Sequence, residues 1–454
     1  MGSEGDAVRA VVVGAGVAGL AAAHRLVRDG YCVTVLEAGD RPGGMVAPLV
    51  IAGREIDGGA EAYARRLGVV DQLCAELGLE VAAPTGRPLI RWPDGRSWPG
   101  ADGVLGVPAS ADDPALLAAL DEGEMATARA EPELGDEVGA EAATVGELVE
   151  ARLGRAVVDR LVAPLTRSVY RMEPGQMPLE RFAPTLRGPG SLYAKVAAAR
   201  GARPVLAQPV GGMFRLVRAL ADGVRDGGGE LRLGVRVERI EPAGDIEGAE
   251  RVGRVQRAGD IEPAEGIERA APAWRVMADG EAIRADRVVL ACPAREAVQL
   301  LGQAGVEASA SPTGASASAV LALDAADLAG VPACSGVLLG GPIPGLAARS
   351  LTHYSAKWPW SRDGGIEFLR LGYEPGAEVT KEQALADAGT LLGCHPRRAL
   401  GFAVVRWPAI PRGLAPKARA ALAGSLPPGL TVAGAWVAGN GIEAAIASGL
   451  EAAA

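Results

Sequence analysis

Two groups of residues near the start of the chain have the types and spacing of a dinucleotide site. Gly14, Gly16 and Gly19 form a GxGxxG pattern after a run of branched apolar residues, and Glu37 ends the next apolar run. Such glycines permit a tight turn and let backbone amides approach a pyrophosphate, and a carboxylate at this distance accepts hydrogen bonds from a ribose. The same acid disfavours a 2′-phosphate and hence NADP. A glycine turn that serves packing alone is the alternative.

A strand–helix–strand unit must position these residues. The pattern predicts a buried strand at residues 10–13, a helix after the glycine turn and a second strand at residues 31–36. A second unit closes the chain, with a strand at 430–433, a glycine turn at 439–441 and an alanine-rich helix from 442 to 454. Amides at the start of that helix would stabilise negative charge on a bound group, although the turn could serve packing only.

Later motifs carry a resemblance to a known family. Arg41-x-Gly43-Gly44 follows the ribose acid, and "IDGGAEAYARR" (56–66) contains the order Asp-x-Gly-Ala-Glu. "TVGELVEARLGRAVVDRLVAPLTRSVYRMEP" (144–174), "ADRVVLACPA", "SAKWPW" and "LTVAGAWVAGNGIEAAIASGLEAA" follow in the same order as in that family. The chain resembles the FAD-dependent amine oxidase superfamily. Within it, the chain is similar to the oxygen-dependent protoporphyrinogen and coproporphyrinogen III oxidases of haem biosynthesis, as a divergent member.

The resemblance implies an α/β fold with a discontinuous, Rossmann-like FAD-binding domain, a mixed α+β substrate domain and a helical subdomain. The FAD-binding domain is expected to combine three segments, at 1–85, 205–293 and 401–454. The substrate domain is expected to combine strands at 86–104 with a sheet at 294–400, and the helical subdomain is expected at 105–204. The middle FAD-binding segment contains "AGDIE" twice, which indicates a duplicated insertion at 243–270 that forms a surface hairpin or loop.

The glycine motif and the resemblance together predict the residues that bind FAD. Val237 would contact the adenine end through its backbone, and Trp407 would lie at the flavin, with a core tryptophan as the alternative. The predicted FAD contacts are Gly14, Ala15, Gly16, Val17, Ala18, Gly19, Glu37, Ala38, Arg41, Gly43, Gly44, Met45, Gly58, Gly59, Ala60, Glu61, Val237, Trp407, Gly434, Asn440, Gly441 and Ile442.

On the substrate side, no catalytic residue is fixed by the sequence, and the candidates are Lys357, Tyr170 and Arg171. Lys357 beside Trp358 resembles a lysine and aromatic pair near the flavin in the superfamily, but a surface cation over the Trp358 ring is equally expected. Carboxylates in a cavity need cationic partners. The residues that could pair with substrate propionates are Tyr170, Arg171, Arg187, Lys195 and Arg349.

Composition excludes several classes of function. The 454 residues are 49% hydrophobic, enough for a large core, and the net charge of −9 argues against a nucleic-acid partner. Five scattered cysteines and three histidines predict neither a metal site nor a disulfide framework. We expect a cytoplasmic protein with no transmembrane segment, while peripheral membrane contact and the oligomeric state stay open. The acidic stretch at 112–141 is expected to be a solvated face or a mobile loop.

The resemblance implies oxidation of coproporphyrinogen III, or of protoporphyrinogen IX, to the porphyrin, with O2 as acceptor and H2O2 as product. Three stretches depart from the family: Arg167-Ser168, where it has a glycine pair, and the segments 411–413 and 440–443. An amine oxidase or desaturase-like paralogue with another substrate, and a non-catalytic FAD-binding protein, are therefore the alternatives. Coproporphyrinogen III is preferred because no membrane-binding segment is evident in the sequence.

Overall fold

The computed structural model describes residues 8–170, 172–200, 205–243, 274–362, 364–439 and 441–454. Two predicted site residues, Arg171 and Asn440, lie outside the described residues, as does the predicted repeat insertion apart from Ala243.

The strands in chain order are β1 (Arg9–Val13), β2 (Cys32–Glu37), β3 (Pro48–Ile51), β4 (Arg54–Asp57), β5 (Tyr63–Ala64), β6 (Val81–Ala82), β7 (Pro88–Arg91), β8 (Ser97–Pro99), β9 (Gly103–Val104), β10 (Val107–Pro108), β11 (Leu206–Pro209), β12 (Glu230–Leu233), β13 (Val237–Pro242), β14 (Trp274–Ala278), β15 (Glu281–Ala285), β16 (Arg287–Leu290), β17 (Thr313–Asp324), β18 (Gly336–Leu339), β19 (Ser350–His353), β20 (Ile366–Tyr373), β21 (Ala399–Pro411) and β22 (Leu430–Val432).

The α-helices in chain order are α1 (Val17–Arg28), α2 (Val69–Glu76), α3 (Pro114–Ala119), α4 (Glu122–Arg129), α5 (Val145–Leu153), α6 (Arg155–Val157), α7 (Ala163–Leu165), α8 (Leu179–Phe182), α9 (Leu192–Arg200), α10 (Phe214–Asp226), α11 (Ala294–Gln303), α12 (Tyr354–Lys357), α13 (Lys381–Leu392), α14 (Pro416–Ser425), α15 (Ala435–Ala438) and α16 (Ile442–Ala453).

A five-stranded parallel sheet in the order β12-β2-β1-β16-β22 holds the glycine motif. The central strand β1 is almost entirely apolar because both faces of a parallel sheet are covered. On one face, α1, α10 and α16 pack around a core of small and aliphatic side chains. A Cβ atom on Gly449 of α16 would lie 2.1 Å from the carbonyl oxygen of Ala18 in α1, so the two helices touch through glycine. The predicted α/β class is confirmed.

A seven-stranded sheet in the order β21-β17-β20-β19-β18-β7-β8 forms the second layer. Because side chains alternate along strands, β20 turns Leu369, Leu371 and Tyr373 toward α13, where they are buried. The opposite face carries Arg370 and Gly372, which are only half-buried. This half-exposed face borders an open groove at Ser350 and Gly372.

The helical region covers α3 to α9 and includes two π-helical runs, Val158–Val162 and Thr166–Tyr170. Within it, the expectation of a solvated face at 112–141 is wrong for Glu131, which is fully buried. Its carboxylate accepts a 2.6 Å hydrogen bond from Nε of Arg152 and further ones from Ser191 and Leu192. Three hydrogen-bond donors, one of them the cation Arg152, explain why this acid is tolerated in the core.

Two elements do not follow the division into segments expected from the sequence. β21 spans the boundary at residue 401, because it pairs with β17 from Thr313↔Pro411 to Leu323↔Ala399 and so belongs to the seven-stranded sheet. α11 falls in the stretch expected for the substrate sheet, yet it packs on the core around β13 and β16. The other segment boundaries stay predictions.

Candidate functional site

The glycine turn after β1 forms an open cradle beside a second glycine turn. Gly14 has φ of +102°, and a Cβ atom there would lie 2.8 Å from the carbonyl oxygen of Ala291. Nothing lies within 4 Å of the position that a Cβ on Gly16 would take. The amide of Gly43 donates to the carbonyl of Ala15 at 2.8 Å, which joins the turns. The residues present therefore fit the approach of a pyrophosphate at the start of α1.

Glu37 ends β2 with its side chain over the glycine turn. Its carboxylate accepts hydrogen bonds from the amides of Ala15 (2.7 Å) and Gly39 (2.8 Å). A carboxylate has about four acceptor positions, so this arrangement leaves two for ribose hydroxyls. The amide of Val235 donates to the carbonyl of Glu37 at 2.9 Å, which brings the start of β13, including Val237, beside the same acid.

Arg41 is exposed and holds its own turn. Its guanidinium donates to the carbonyls of Pro42 (3.2 Å) and Gly44 (3.0 Å). Gly43 and Gly44 both have positive φ, 109° and 57°, which explains why this turn needs glycine at two successive positions. A phosphate contact by Arg41 stays a prediction.

The C-terminal helix begins as predicted. α16 starts at Ile442 after Gly441, and no hydrogen bond of either amide is found within the described ranges. Glu443, in its first turn, is buried and accepts hydrogen bonds from the amides of Arg66 and Gly68, both at 2.7 Å. Gly434, at the end of the preceding strand, has φ of +110°. Hydrogen bonds to Glu443 therefore hold the start of α16 to the segment that follows the 58–61 turn.

The turn at residues 58–61 connects the parallel sheet with the seven-stranded sheet. A Cβ atom on Gly59 would lie 1.8 Å from the carbonyl oxygen of Met45 and 3.2 Å from Cζ2 of Trp407. The amide of Ala60 donates to the same Met45 carbonyl at 3.1 Å. Four predicted FAD contacts from three regions of the sequence thus meet at one point. Arg370 donates to the carbonyls of Gly59 and the residue before it, at 2.6 and 3.3 Å.

Lys357 pairs with Glu61 at the end of this turn. Its Nζ lies 2.5 Å from Oε1 of Glu61, and the two side chains are 17% and 16% exposed. The same Nζ is 5.5 Å from the ring centre of Trp358, which is fully buried. Lys357 is therefore not the surface cation that was the alternative, because it points inward to a carboxylate.

The charge state of Glu61 follows from its cations. Burial alone would raise its pKa, but the charges of Lys357 and Arg370 and the hydrogen bond from Lys357 hold the pKa below its ordinary value. Glu61 is therefore ionised at neutral pH. Its second oxygen, Oε2, is buried and has no hydrogen-bond partner among the described residues. An orphaned acceptor at this point indicates a place where a further donor can bind.

A groove of about 640 Å3 lies between the second π-helical run and the half-exposed face of the seven-stranded sheet. Arg167 and Ser168 line one side, and Arg349, Ser350 and Gly372 line the other. Arg349 is paired with Glu374. Arg167 is held by a two-pronged ion pair at 2.8 and 2.9 Å with a glutamate of the same segment. An anion in the groove would compete with these carboxylates for both arginines.

The predicted propionate-binding residues do not form a single cluster. Arg187 and Lys195 line a separate cavity of about 270 Å3 within the helical region. Each donates to a backbone carbonyl, of Ala142 and Gly188 respectively. Tyr170 stacks edge-on against a phenylalanine of α8, with ring centres 5.5 Å apart. Among these candidates with described positions, Arg349 alone lines the groove beside the seven-stranded sheet.

Sequence reasoning missed the residues that support the 58–61 turn from distant strands. Arg370 interrupts the alternating apolar strand "IEFLRLGY", and this charge on an otherwise buried strand was a usable signal. Asp57 stands directly before the glycine pair, and its hydrogen-bond partner Tyr354 lies 297 residues away. No local pattern identifies that partner. The described residues contain no group of three metal-ligating side chains and no helix long and apolar enough to cross a membrane.

The whole chain is similar to known flavoproteins. The family described as flavin containing amine oxidoreductase matches residues 17–454. The chain is 32% identical over 467 residues to a coproporphyrinogen III oxidase of Mycobacterium leprae (strain TN), with 96% of this chain and 95% of the relative covered. It is 33% identical over 470 residues to a coproporphyrinogen III oxidase of Mycobacterium tuberculosis (strain ATCC 25618 / H37Rv), with 96% and 94% covered. A structure assigned as a protoporphyrinogen oxidase from Exiguobacterium sp. 255-15 has a TM-score of 0.74 at 22% identity and covers 99% of this chain and 98% of its own, which shows the fold.

Proposed function

The chain belongs to the flavin-containing amine oxidoreductase family, and on this premise we propose that it oxidises coproporphyrinogen III to coproporphyrin III with O2 as the final acceptor. It is an FAD-dependent oxidoreductase, as the sequence predicted. The observation that carries the substrate is the identity of about one third, over nearly the full length of both chains, to relatives named coproporphyrinogen III oxidase. A cytoplasmic location stays a prediction.

The proposed reaction removes six hydrogens from the porphyrinogen in three two-electron steps and reduces three O2 to three H2O2. FAD supplies the electron acceptor at which C–H bonds are oxidised. The residues that would hold it are the glycine cradle, Glu37, the 58–61 turn and the start of α16. The positive end of α16 would stabilise negative charge on the flavin, because its first amides have no partner among the described residues.

The proposed place of the macrocycle is the space above the half-exposed face of the seven-stranded sheet. Arg370 and Gly372 share that face of β20, and two residues along a strand span about 7 Å. Arg370 contacts the 58–61 turn, and Gly372 lines the groove with Arg349, whose amide donates to the Gly372 carbonyl at 2.8 Å. A ring at the turn would then place a propionate near Arg349. That carboxylate would replace Glu374 as its partner.

Lys357 and Glu61 would act beside the reacting ring. Each two-electron step also releases one proton, and two of the six hydrogens lost overall come from pyrrole N–H groups. The unpartnered Oε2 of Glu61, at the end of the 58–61 turn, is an acceptor for such an N–H. The ionised state of Glu61 at neutral pH suits that contact, because a carboxylate accepts hydrogen bonds from N–H donors. Lys357 would keep this carboxylate charged and oriented.

An amine oxidase or desaturase-like paralogue is the second candidate, and one observation favours it. Arg167 and Ser168 stand where the family has a glycine pair, and they line the groove, so their side chains occupy space that glycines would leave to a large ring. A smaller substrate would not need that space.

Anaerobic mixing separates the candidates. The purified holoprotein is mixed without O2 with coproporphyrinogen III, protoporphyrinogen IX or a set of primary amines, and bleaching of the flavin absorbance is followed. We expect rapid bleaching by coproporphyrinogen III and, after O2 is admitted, three H2O2 for each porphyrin formed. Bleaching by an amine but by neither porphyrinogen would refute the proposal and favour the paralogue.

A further inference from the structure

Asp57 is a buried carboxyl group directly before the 58–61 turn. It is 1% exposed, and no described lysine or arginine forms an ion pair with it. The hydroxyl of Tyr354 donates to Oδ2 at 2.8 Å, and Nε2 of Gln208 lies 3.4 Å from the same oxygen. The amide of Phe214 donates to Oδ1 at 3.4 Å. Since all three neighbours are donors, the contacts suit the ionised form.

These contacts attach three separate elements to the turn. Phe214 begins α10, and Tyr354 begins the short helix α12, which ends at Lys357. Gln208, on β11, also donates to the carbonyl of Glu61 at 2.5 Å and accepts a 2.7 Å hydrogen bond from the indole of Trp360. Asp57 therefore precedes the start of the 58–61 turn in the chain and is connected to Glu61, at its end, through Gln208 and through the helix that carries Lys357.

We propose that Asp57 is a positioning residue that holds the 58–61 turn and Lys357 in the geometry that binds FAD, and that protonation of Asp57 loosens this arrangement. The inference needs bound FAD but not the proposed substrate. Its test uses FAD alone, so failure of the porphyrinogen assignment leaves it unaffected.

The surroundings place the proton equilibrium of Asp57 in the physiological range. The pKa of Asp57 is raised to about 7, because burial and the nearby charge of Glu61 raise it more than the hydrogen bonds from Tyr354 and from the amides of Met213 and Phe214 lower it. Gln208 is neutral. Above this pKa these donors meet a carboxylate. Below it, the added O–H faces groups that themselves donate, so at least one contact must be given up.

The chain contains a matched control for this arrangement. Asp387 is also 1% exposed and accepts hydrogen bonds from a tyrosine, Tyr373 (2.9 Å), a glutamine, Gln383 (2.8 Å), and the backbone amide of Ala348 (3.0 Å). It lies on α13, against the opposite face of the seven-stranded sheet. Tyr373→Phe therefore removes a hydrogen bond from tyrosine to a buried aspartate, as Tyr354→Phe does, but at a site away from the 58–61 turn.

The test is FAD binding to apoprotein, measured by quenching of flavin fluorescence from about pH 5.5 to about pH 8.5 in wild type and variants. In wild type we expect the Kd for FAD to rise about fivefold as the pH falls through about 7, the size of one net hydrogen bond. Asp57→Asn should bind FAD more weakly at high pH and lose this dependence. Tyr354→Phe should move the midpoint to higher pH, because the tyrosine bond lowers the pKa of Asp57. Tyr373→Phe should leave the midpoint unchanged.

Three results would overturn the proposal. The first is a wild-type Kd that does not change across the range. The second is an unchanged pH dependence in Asp57→Asn, which would assign the titration to one of the three histidines. The third is the same midpoint in Tyr354→Phe and Tyr373→Phe. Should Asp57→Asn fail to fold, the two tyrosine variants still decide the question, because each keeps the aspartate it contacts.

Discussion

The ion pair between Lys357 and Glu61 gives a quantitative prediction, because its nitrogen–oxygen distance is 2.5 Å and both side chains are about five-sixths buried. Removing one partner of a buried pair costs about 3–5 kcal/mol, because the other charge stays buried without compensation. Arg370 remains near the carboxylate, so we expect Lys357→Met to lower the free energy of unfolding by about 3 kcal/mol, the lower end of that range.

The double variant isolates the interaction itself. Lys357→Met with Glu61→Gln removes both charges of the pair and leaves only Arg370, which keeps its carbonyl partners, so the loss should be smaller than the sum of the single losses by about 2 kcal/mol. Guanidinium unfolding of the apoprotein measures all four proteins. The matched control is the pair of Arg28 and Glu76, whose side chains are 57% and 49% exposed and whose removal should cost at most about 1 kcal/mol.

The same cycle predicts opposite pH dependences. In wild type the pKa of Glu61 is lowered, so its contribution to stability is present above its ordinary pKa and is lost as the pH falls through the folded value. In Lys357→Met, burial dominates and raises the pKa, so stability should fall as the pH rises above the ordinary value. Additive single losses, or parallel pH profiles for wild type and Lys357→Met, would refute the reasoning.

Three further predictions concern FAD and the substrate. Glu37→Ala should weaken FAD binding by about 1.5–3 kcal/mol through loss of charge-assisted ribose contacts, and an unchanged affinity in a fluorescence titration would make Glu37 an ordinary strand-end acid. Gly59→Ala should yield protein without FAD, because its Cβ would lie 1.8 Å from a backbone carbonyl oxygen, whereas Gly53→Ala, with nothing within 4 Å, should keep its yellow colour. Arg349→Ala should raise the KM for coproporphyrinogen III and make that KM more sensitive to salt, and Arg397→Ala, which removes an exposed arginine paired with Asp327 outside the groove, should do neither; equal effects would remove Arg349 from the site.

The sequence by itself determined the local components of the site. The turn at Gly14 and Gly16, the acid at Glu37 and the helix start at Ile442 were all predicted at the positions where the structure has them. The conformation of each of these features is set by residues within about one strand–helix–strand unit. A local sequence pattern is therefore enough to predict a tight glycine turn.

Only the tertiary structure decided which charged groups meet. Lys357 reaches Glu61 across 296 residues, and Arg370 supports the carbonyl groups of the same turn from another strand. The face of a sheet on which a side chain lies depends on the register of pairing between distant strands, which local spacing does not contain. The predicted cations also lie apart in the fold. Arg349, beside the seven-stranded sheet, lines the groove, whereas Arg187 lines a separate cavity in the helical region.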